Sequence, residues 1–477
     1  MHTPFFPHWR ARLAAFGQRA HGLRQKPILH LEKIFAHLLP PALLSQAEEG
    51  LNSRDRLYSL RRTFWAFLWQ VLNPGSPCRE VVRQVQALFC LAGGPTTDEG
   101  TSAYCQARAR LPLAAVQRVR QAAADHAEKL VPERLGLWHG WRPKVVDGSS
   151  LGLVDTPANQ AAYPQSASQK PGCGFPLLKL VGLFSLSSGA LLGCATGNKH
   201  LAELPLFFRL RRLLQQGDLL VADRGFASYV VMALLELIGV ACLFRLHQAR
   251  PHDMRRGMRL GKNDRLMLWS KPKQKPRYLP KSLWRCVPRE LVVRVLRVQS
   301  HIPGFRTQNV TLVTTLSDHT TYPASELAGL YLRRWHIELW WRQLKTSMGM
   351  EVLRCHSPAM VRKELEMYLT AYNLIRGVMA EAAALYEQPL EQISFKGSVD
   401  ALRQYSPLIA QSRARKNQGR LIQSLLRSLA LDLVPTRPGR REPRAVKRRP
   451  KPYPLLTKPR DRFVEIPHQS KYRRNNR

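Results

Sequence analysis

An α/β protein built on a mixed sheet is what the sequence predicts, and three observations lead there. The first ~135 residues hold helical patterns with almost no strand signal, short apolar runs begin at Lys144, and strand and helix signals alternate thereafter. A β-hairpin followed by helix–strand alternation gives a sheet with both parallel and antiparallel pairs.

The N-terminal helices are read from LHLEKIFAHLL, RTFWAFLWQVL, REVVRQVQALFCLA and TSAYCQARARLPLAAVQRVRQAA, with breakers such as Asn73-Pro74-Gly75 between them. KVVDGSSLGLVD, LLKLVGLFSLSSGALLGCATG and DLLVADRG then read as short strands, the second folded back at Ser187-Ser188-Gly189. A helix falls between Leu201 and Gln216 and another begins at Tyr229. From His247 to Thr307 the chain is basic, Pro-bearing and irregular apart from the strand LVVRVLRVQ, and it reads as an insertion because strand and helix signals resume at NVTLVTTL and Pro323–Met348. A helical stretch, KELEMYLTAYNLIRGVMAEAAALYE, closes the globular part, and an extended tail rich in Arg, Lys and Pro follows Pro435.

At 477 residues the chain should hold roughly two to four units. The expected division is a helical region over 1–135, an α/β core over 140–245 and 308–390, an inserted segment over 246–307, and a helical then basic segment over 391–477. Lys and Arg number 74 against 33 Asp and Glu, a formal charge of +41, which repels itself unless a polyanion neutralises it. Nucleic acid is the partner this implies. A membrane surface would call for a basic amphipathic anchor or a lipidation signal, and the sequence has neither. The eight cysteines show no CxxC pair and no histidine at zinc-ligand spacing, so they read as reduced thiols of a cytoplasmic protein.

The candidate chemistry lies on three carboxylates. In a regular helix over Pro323–Met348, Tyr331, Arg334, Glu338 and Lys345 fall within an arc of roughly 60°, beside an apolar stripe of Leu330, Ile337, Trp340, Trp341 and Leu344. Spacing alone fits an ion-paired, solvated face as well as a site. Asp147 and Asp223 each end an apolar run and precede a Gly or Arg-Gly, which singly fits a turn. Together they can converge at one sheet edge where a helix-borne Glu joins them, and three hard oxygen ligands suit Mg²⁺ or Mn²⁺. Two such ions would serve phosphodiester hydrolysis and strand transfer. Asp218 points to the opposite face of a regular strand, so removing it should leave most activity.

At this point the residues resemble a family. Tyr331-x2-Arg334-x3-Glu338-x6-Lys345 is similar to the YREK signature of insertion-sequence-four type DDE transposases, and VVDGSS and LLVADRGF resemble that family's two Asp blocks. The resemblance implies an RNase H-like core with a mainly β insertion between the second Asp and the Glu, and an all-helical N-terminal region that recognises transposon ends. It implies Asp147, Asp223 and Glu338 as catalytic metal ligands, Tyr331, Arg334 and Lys345 as DNA contacts, and a homodimer bridging two double-stranded ends. The activity implied is cut-and-paste transposition of an insertion sequence. A catalytically silent DNA-binding derivative and a metal-dependent nuclease without strand transfer are the alternatives, and inverted repeats flanking the gene would separate the nuclease from the transposase. Some relatives stack a flipped base on a Trp in the strand before the YREK helix; here that strand is NVTLVTTL, leaving Trp284 and Phe305, which also suit core positions.

Overall fold

The computed structural model describes residues 31–44, 57–91, 98–247, 250, 253–299, 309–412, 414–435, 458–459 and 462–463. Phe305 and nearly all of the basic tail lie outside these residues.

The helical opening consists of α1 (Leu31–Phe35), α2 (Leu60–Leu72), α3 (Cys78–Leu91), α4 (Ser102–Arg110), α5 (Leu113–Leu130) and the single turn α6 (Glu133–Gly136). Ser59 caps α2 by accepting from the Arg62 amide, and the chain turns at Gly75, whose φ of 99° is open to glycine. Leu111-Pro112 divides the long predicted helix over 101–123 into α4 and α5, since proline removes an intrahelical donor.

The sheet has strand order β3-β2-β1-β4-β5-β9-β8-β7-β6. The strands are β1 (Arg142–Leu153), β2 (Leu177–Ser185), β3 (Leu191–Gly197), β4 (Asp218–Ala222), β5 (Ala241–Arg245), β6 (Met258–Gly261), β7 (Asp264–Ser270), β8 (Glu290–Gln299) and β9 (Asn309–Thr314), with the short β10 (Val352–Leu353) beside the far end of β1. β1, β4 and β5 run parallel, while β2 and β3 form the antiparallel hairpin on the other side of β1. This is the RNase H-like arrangement. The hairpin turns at Gly189, with φ of 69°, as Ser187-Ser188-Gly189 predicted. β9 pairs antiparallel with both β5 and β8, so the insertion extends the core sheet.

The helices interleaved with the sheet are α7 (Pro157–Ala162), α8 (Glu203–Leu210), α9 (Tyr229–Glu236), α10 (Lys281–Cys286), α11 (Ala324–Arg333), α12 (His336–Arg342), α13 (Pro358–Leu385), α14 (Phe395–Gln411) and α15 (Arg415–Leu431). α13 is the central pillar, buried nearly all round from Leu365 to Ala383. It packs along α5, where Arg120 and Glu366 form a buried ion pair, and Asn373 donates to the carbonyls of Arg120 (3.1 Å) and Leu191 (2.9 Å). One amide side chain thus ties the N-terminal helices, the hairpin and α13 together.

The expected single helix over Pro323–Met348 is corrected to three pieces. The amides of Arg334 and Trp335 bond three residues back, tightening the turn between α11 and α12, and Gln343–Ser347 then widens into a π turn closed by Met348 N–H to Gln343 (3.0 Å). Tightening and widening offset one another, so Ile337, Trp340, Trp341 and Leu344 all still reach the core.

Candidate active site

Register places the two aspartates. β1 and β4 pair in parallel from Arg142↔Asp218 to Val146↔Ala222, and Asp147 and Asp223 are the next residue after the last pair on each side. Parallel partners lie about 5 Å apart and point to the same face, so the two carboxylates leave the sheet side by side. Asp147 does not end its strand, as had been expected: β1 runs on to Leu153 because β2 still pairs with it, and β4 is the strand that stops. The open end of β4 is where a parallel sheet offers a crevice.

The face is set by alternation. Val145, Leu219 and Val221 belong to the buried cluster that contains Trp340, Trp341 and Leu344, whereas Val146, Leu220 and Ala222 belong to the cluster beneath α8 and α9. Asp147 and Asp223 therefore share the face on which α12 packs. Gly182 lies directly opposite Asp147 on β2, and a Cβ there would sit 2.7 Å from the Trp341 ring. Glycine at that position lets α12 lie close on the sheet, bringing Glu338 to the aspartates.

Arg334 occupies the middle. It is 6% exposed, its Nη2 donates to Glu338 Oε1 at 3.2 Å, and its Cζ stands 5.1 Å from the Trp335 ring centre. Burial works against its charge, but Tyr331, Asp223, Asp147 and Glu338 overcome that and hold the guanidinium above its usual range. Its Nε is buried with no partner. Burial pushes Asp147 up to about 6, against the Gly148 amide (2.8 Å) and Arg334, which pull the other way, while Glu203 and Glu338 add to the rise. Burial also pushes Tyr331 up to about 12. Lys345 is half-buried on the π turn.

The structure thus brings Asp147, Asp223, Glu338, Tyr331 and Arg334 into one electrostatic neighbourhood. Among the described residues no three His, Cys, Asp or Glu side chains stand close enough to hold an ion as they are placed. Arg334 supplies the positive charge between the acids instead. The donor set still fits a hard divalent cation in kind, since it is made of carboxylate oxygens, and Glu338 is exposed although paired with Arg334.

Two neighbours were not legible in the sequence. Glu203, at the start of α8, acts on Asp147, and Arg245, at the end of β5, acts on Tyr331. An acid in a helix's first turn and a basic residue ending a strand are commonplace, so neither carried a signal. Asp218 does point to the opposite face, but it is no bystander. It is fully buried and accepts from Arg142 Nε (2.9 Å), Lys144 Nζ (2.6 Å) and the Gln215 amide (2.7 Å), so its removal, expected to leave most activity, should also cost stability. Trp284 is not an open stacking platform: Lys271 Nζ sits 4.3 Å over its ring.

No helix among the described residues is long and apolar enough to cross a membrane. The family described as Transposase DDE domain matches residues 142–374, the span from β1 into α13. The transposase InsG for insertion sequence element IS4 from Escherichia coli strain K12 is 30% identical over 431 residues, covering 88% of this chain and 93% of its own. A solved piggyBac transposase synaptic complex with hairpin DNA aligns over 92% of this chain and 88% of its own at 10% identity, with a TM-score of 0.40, too loose a match to carry an argument.

Proposed function

The chain belongs to the insertion-sequence-four type DDE transposases, and we propose that it performs cut-and-paste transposition by cleaving and rejoining phosphodiester bonds at the three carboxylates Asp147, Asp223 and Glu338. The observation that carries this reading is the register: both aspartates lie one residue past the last β1–β4 pair, on the face where the Glu338 helix packs.

A divalent cation there, Mg²⁺ with Mn²⁺ as substitute and in a pair by the resemblance, would supply Lewis acidity to the attacking and leaving oxygens. The chain's own residues do the rest. Asp147, Asp223 and Glu338 would hold the ions, with Asp147 binding in the ionised form that prevails above about pH 6. Arg334 would position a phosphate beside them, and Tyr331 and Lys345 would contact the flanking strand. The surplus of positive charge supports double-stranded DNA as partner, with the helices up to residue 135 reading the transposon end and a homodimer pairing two ends.

The direct test incubates the full chain with Mg²⁺ and a DNA end bearing its flanking repeat, then maps the cut. Cleavage at the repeat boundary is expected. Tight end binding without cleavage in either Mg²⁺ or Mn²⁺ would favour the silent DNA-binding derivative.

A finer test addresses Arg334. A lysine cannot reproduce the fork, so Arg334→Lys should slow single-turnover cleavage by about tenfold or more while end affinity changes little, because many other cations share the binding. Leu344→Asp, on the buried side of the same segment, should instead cost several kcal/mol and give unfolded or aggregated protein. Wild-type cleavage by a folded Arg334→Lys protein would remove Arg334 from the chemistry.

A further inference from the structure

The three family carboxylates approach the end of β4 from one face of the sheet, and a fourth approaches from the other. α8 leaves β3 after a short loop, and Leu206, Phe207 and Leu210 anchor it in the second buried cluster. Glu203 stands in its first turn. A Cβ built on Gly148 would lie 2.1 Å from Glu203 Oε1, and one on Gly225 would lie 3.8 Å from Oε2. The carboxylate is thus seated between the residue after Asp147 and the second residue after Asp223, in a space that glycine leaves free. Phe207 also meets Phe226 edge-on, with ring centres 5.7 Å apart, so the turn after Asp223 and the helix bearing Glu203 are locked together.

An acid in the first turn of a helix needs no ligand to explain it, because it complements the helix dipole. What that role does not require is a seat against two separate aspartate blocks. We propose that Glu203 is a fourth carboxylate of the active site, holding the divalent cation on the Asp147 side from the face of the sheet opposite Glu338. The inference rests on the reading of Asp147 as a metal ligand. It gives the site an oxygen donor on each face of the sheet, so that a cation above the end of β4 is gripped from two rigid elements rather than from one.

The test is Mn²⁺ titration of the full-length protein without DNA, followed by electron paramagnetic resonance, on the wild type, Glu203→Gln, Gly148→Ala and Asp147→Ala. Glu203→Gln keeps the shape and removes the charge. Gly148→Ala leaves Glu203 chemically intact but displaces it, at small cost because the obstructed atoms are the far end of a flexible side chain. Both should weaken Mn²⁺ binding by about tenfold or more, the loss typical when a group that supports a metal site is removed. Asp147→Ala should weaken it at least as much. If Asp147→Ala loses Mn²⁺ while Glu203→Gln titrates like the wild type, Glu203 is only a helix-capping charge and the proposal is overturned, with the proposed function intact. If Asp147→Ala also titrates like the wild type, the metal reading of Asp147 fails and takes this inference with it. A lowered melting temperature with unchanged Mn²⁺ affinity in Glu203→Gln would likewise assign it to the helix alone.

Discussion

Replacing Asp147, Asp223 or Glu338 by alanine should lower the single-turnover rate of end cleavage by at least about a thousandfold, with end affinity and folding nearly unchanged. Several kcal/mol of transition-state stabilisation disappear when a cation loses the ligand that places it, and a factor of a thousand corresponds to about 4 kcal/mol. Folding should be spared because these side chains contribute little packing: Asp147 and Asp223 are half-buried and Glu338 is exposed. For Asp147 the electrostatics point the same way. Its folded-state pKa, about 6, lies above the usual carboxylate value, so the folded chain holds this proton more tightly than the unfolded chain. The stability this confers is fully present below the unfolded pKa and is lost as pH rises through about 6. At pH 8 without metal, the ionised carboxylate is therefore a burden, and Asp147→Ala should melt no lower than the wild type. Thermal melts in chelator, end-binding assays and single-turnover rates on the same preparations check all three parts. An alanine variant that still cuts at a tenth of the wild-type rate would take that residue out of the ligand set.

Asp218→Ala should fail in a different way, by losing about 3–5 kcal/mol of stability rather than by losing the chemistry. Asp218 has no exposure, and three donors converge on it. Deleting it removes the counter-charge of the Lys144 ammonium, whose side chain is 12% exposed, and leaves the Gln215 amide without that acceptor just before β4. That is a large share of the roughly 5–15 kcal/mol that holds a typical folded protein together. Asp218→Asn, which keeps the shape and part of the hydrogen bonding, should cost less. Denaturant melts would show the loss, and the fraction that stays folded should cleave at the wild-type rate per molecule. A variant that melts normally, or a folded one that is catalytically dead, would contradict this assignment. Asp218, the first residue of β4, and Asp223, the residue just past it, thus take opposite faces, and only Asp223 lies on the face of the proposed site.

Much of this protein was legible from the chain alone, because the relevant information is local. Alternation and apolar runs marked β1, β4 and β9, helical periodicity marked α2 and α5, and within the irregular basic segment from 247 the one strand marked was β8. The spacing of Tyr331, Arg334, Glu338 and Lys345, with the Asp147 and Asp223 blocks before it, was enough to name the family, since residues at fixed separations in one segment can be read without knowing what the segment packs against. Only the tertiary structure could decide which strand stops beside Asp147, that Gly182 across the sheet admits Trp341, and that the helix bearing Glu338 tightens at Arg334 and widens at Gln343. It alone showed that Asp218 is a buried anchor and that Glu203 lies against Gly148, the residue after Asp147. Those facts depend on strand register and on contacts between residues tens to hundreds of positions apart. Such contacts are set by how the whole core fills its volume, and no spacing along the chain records them.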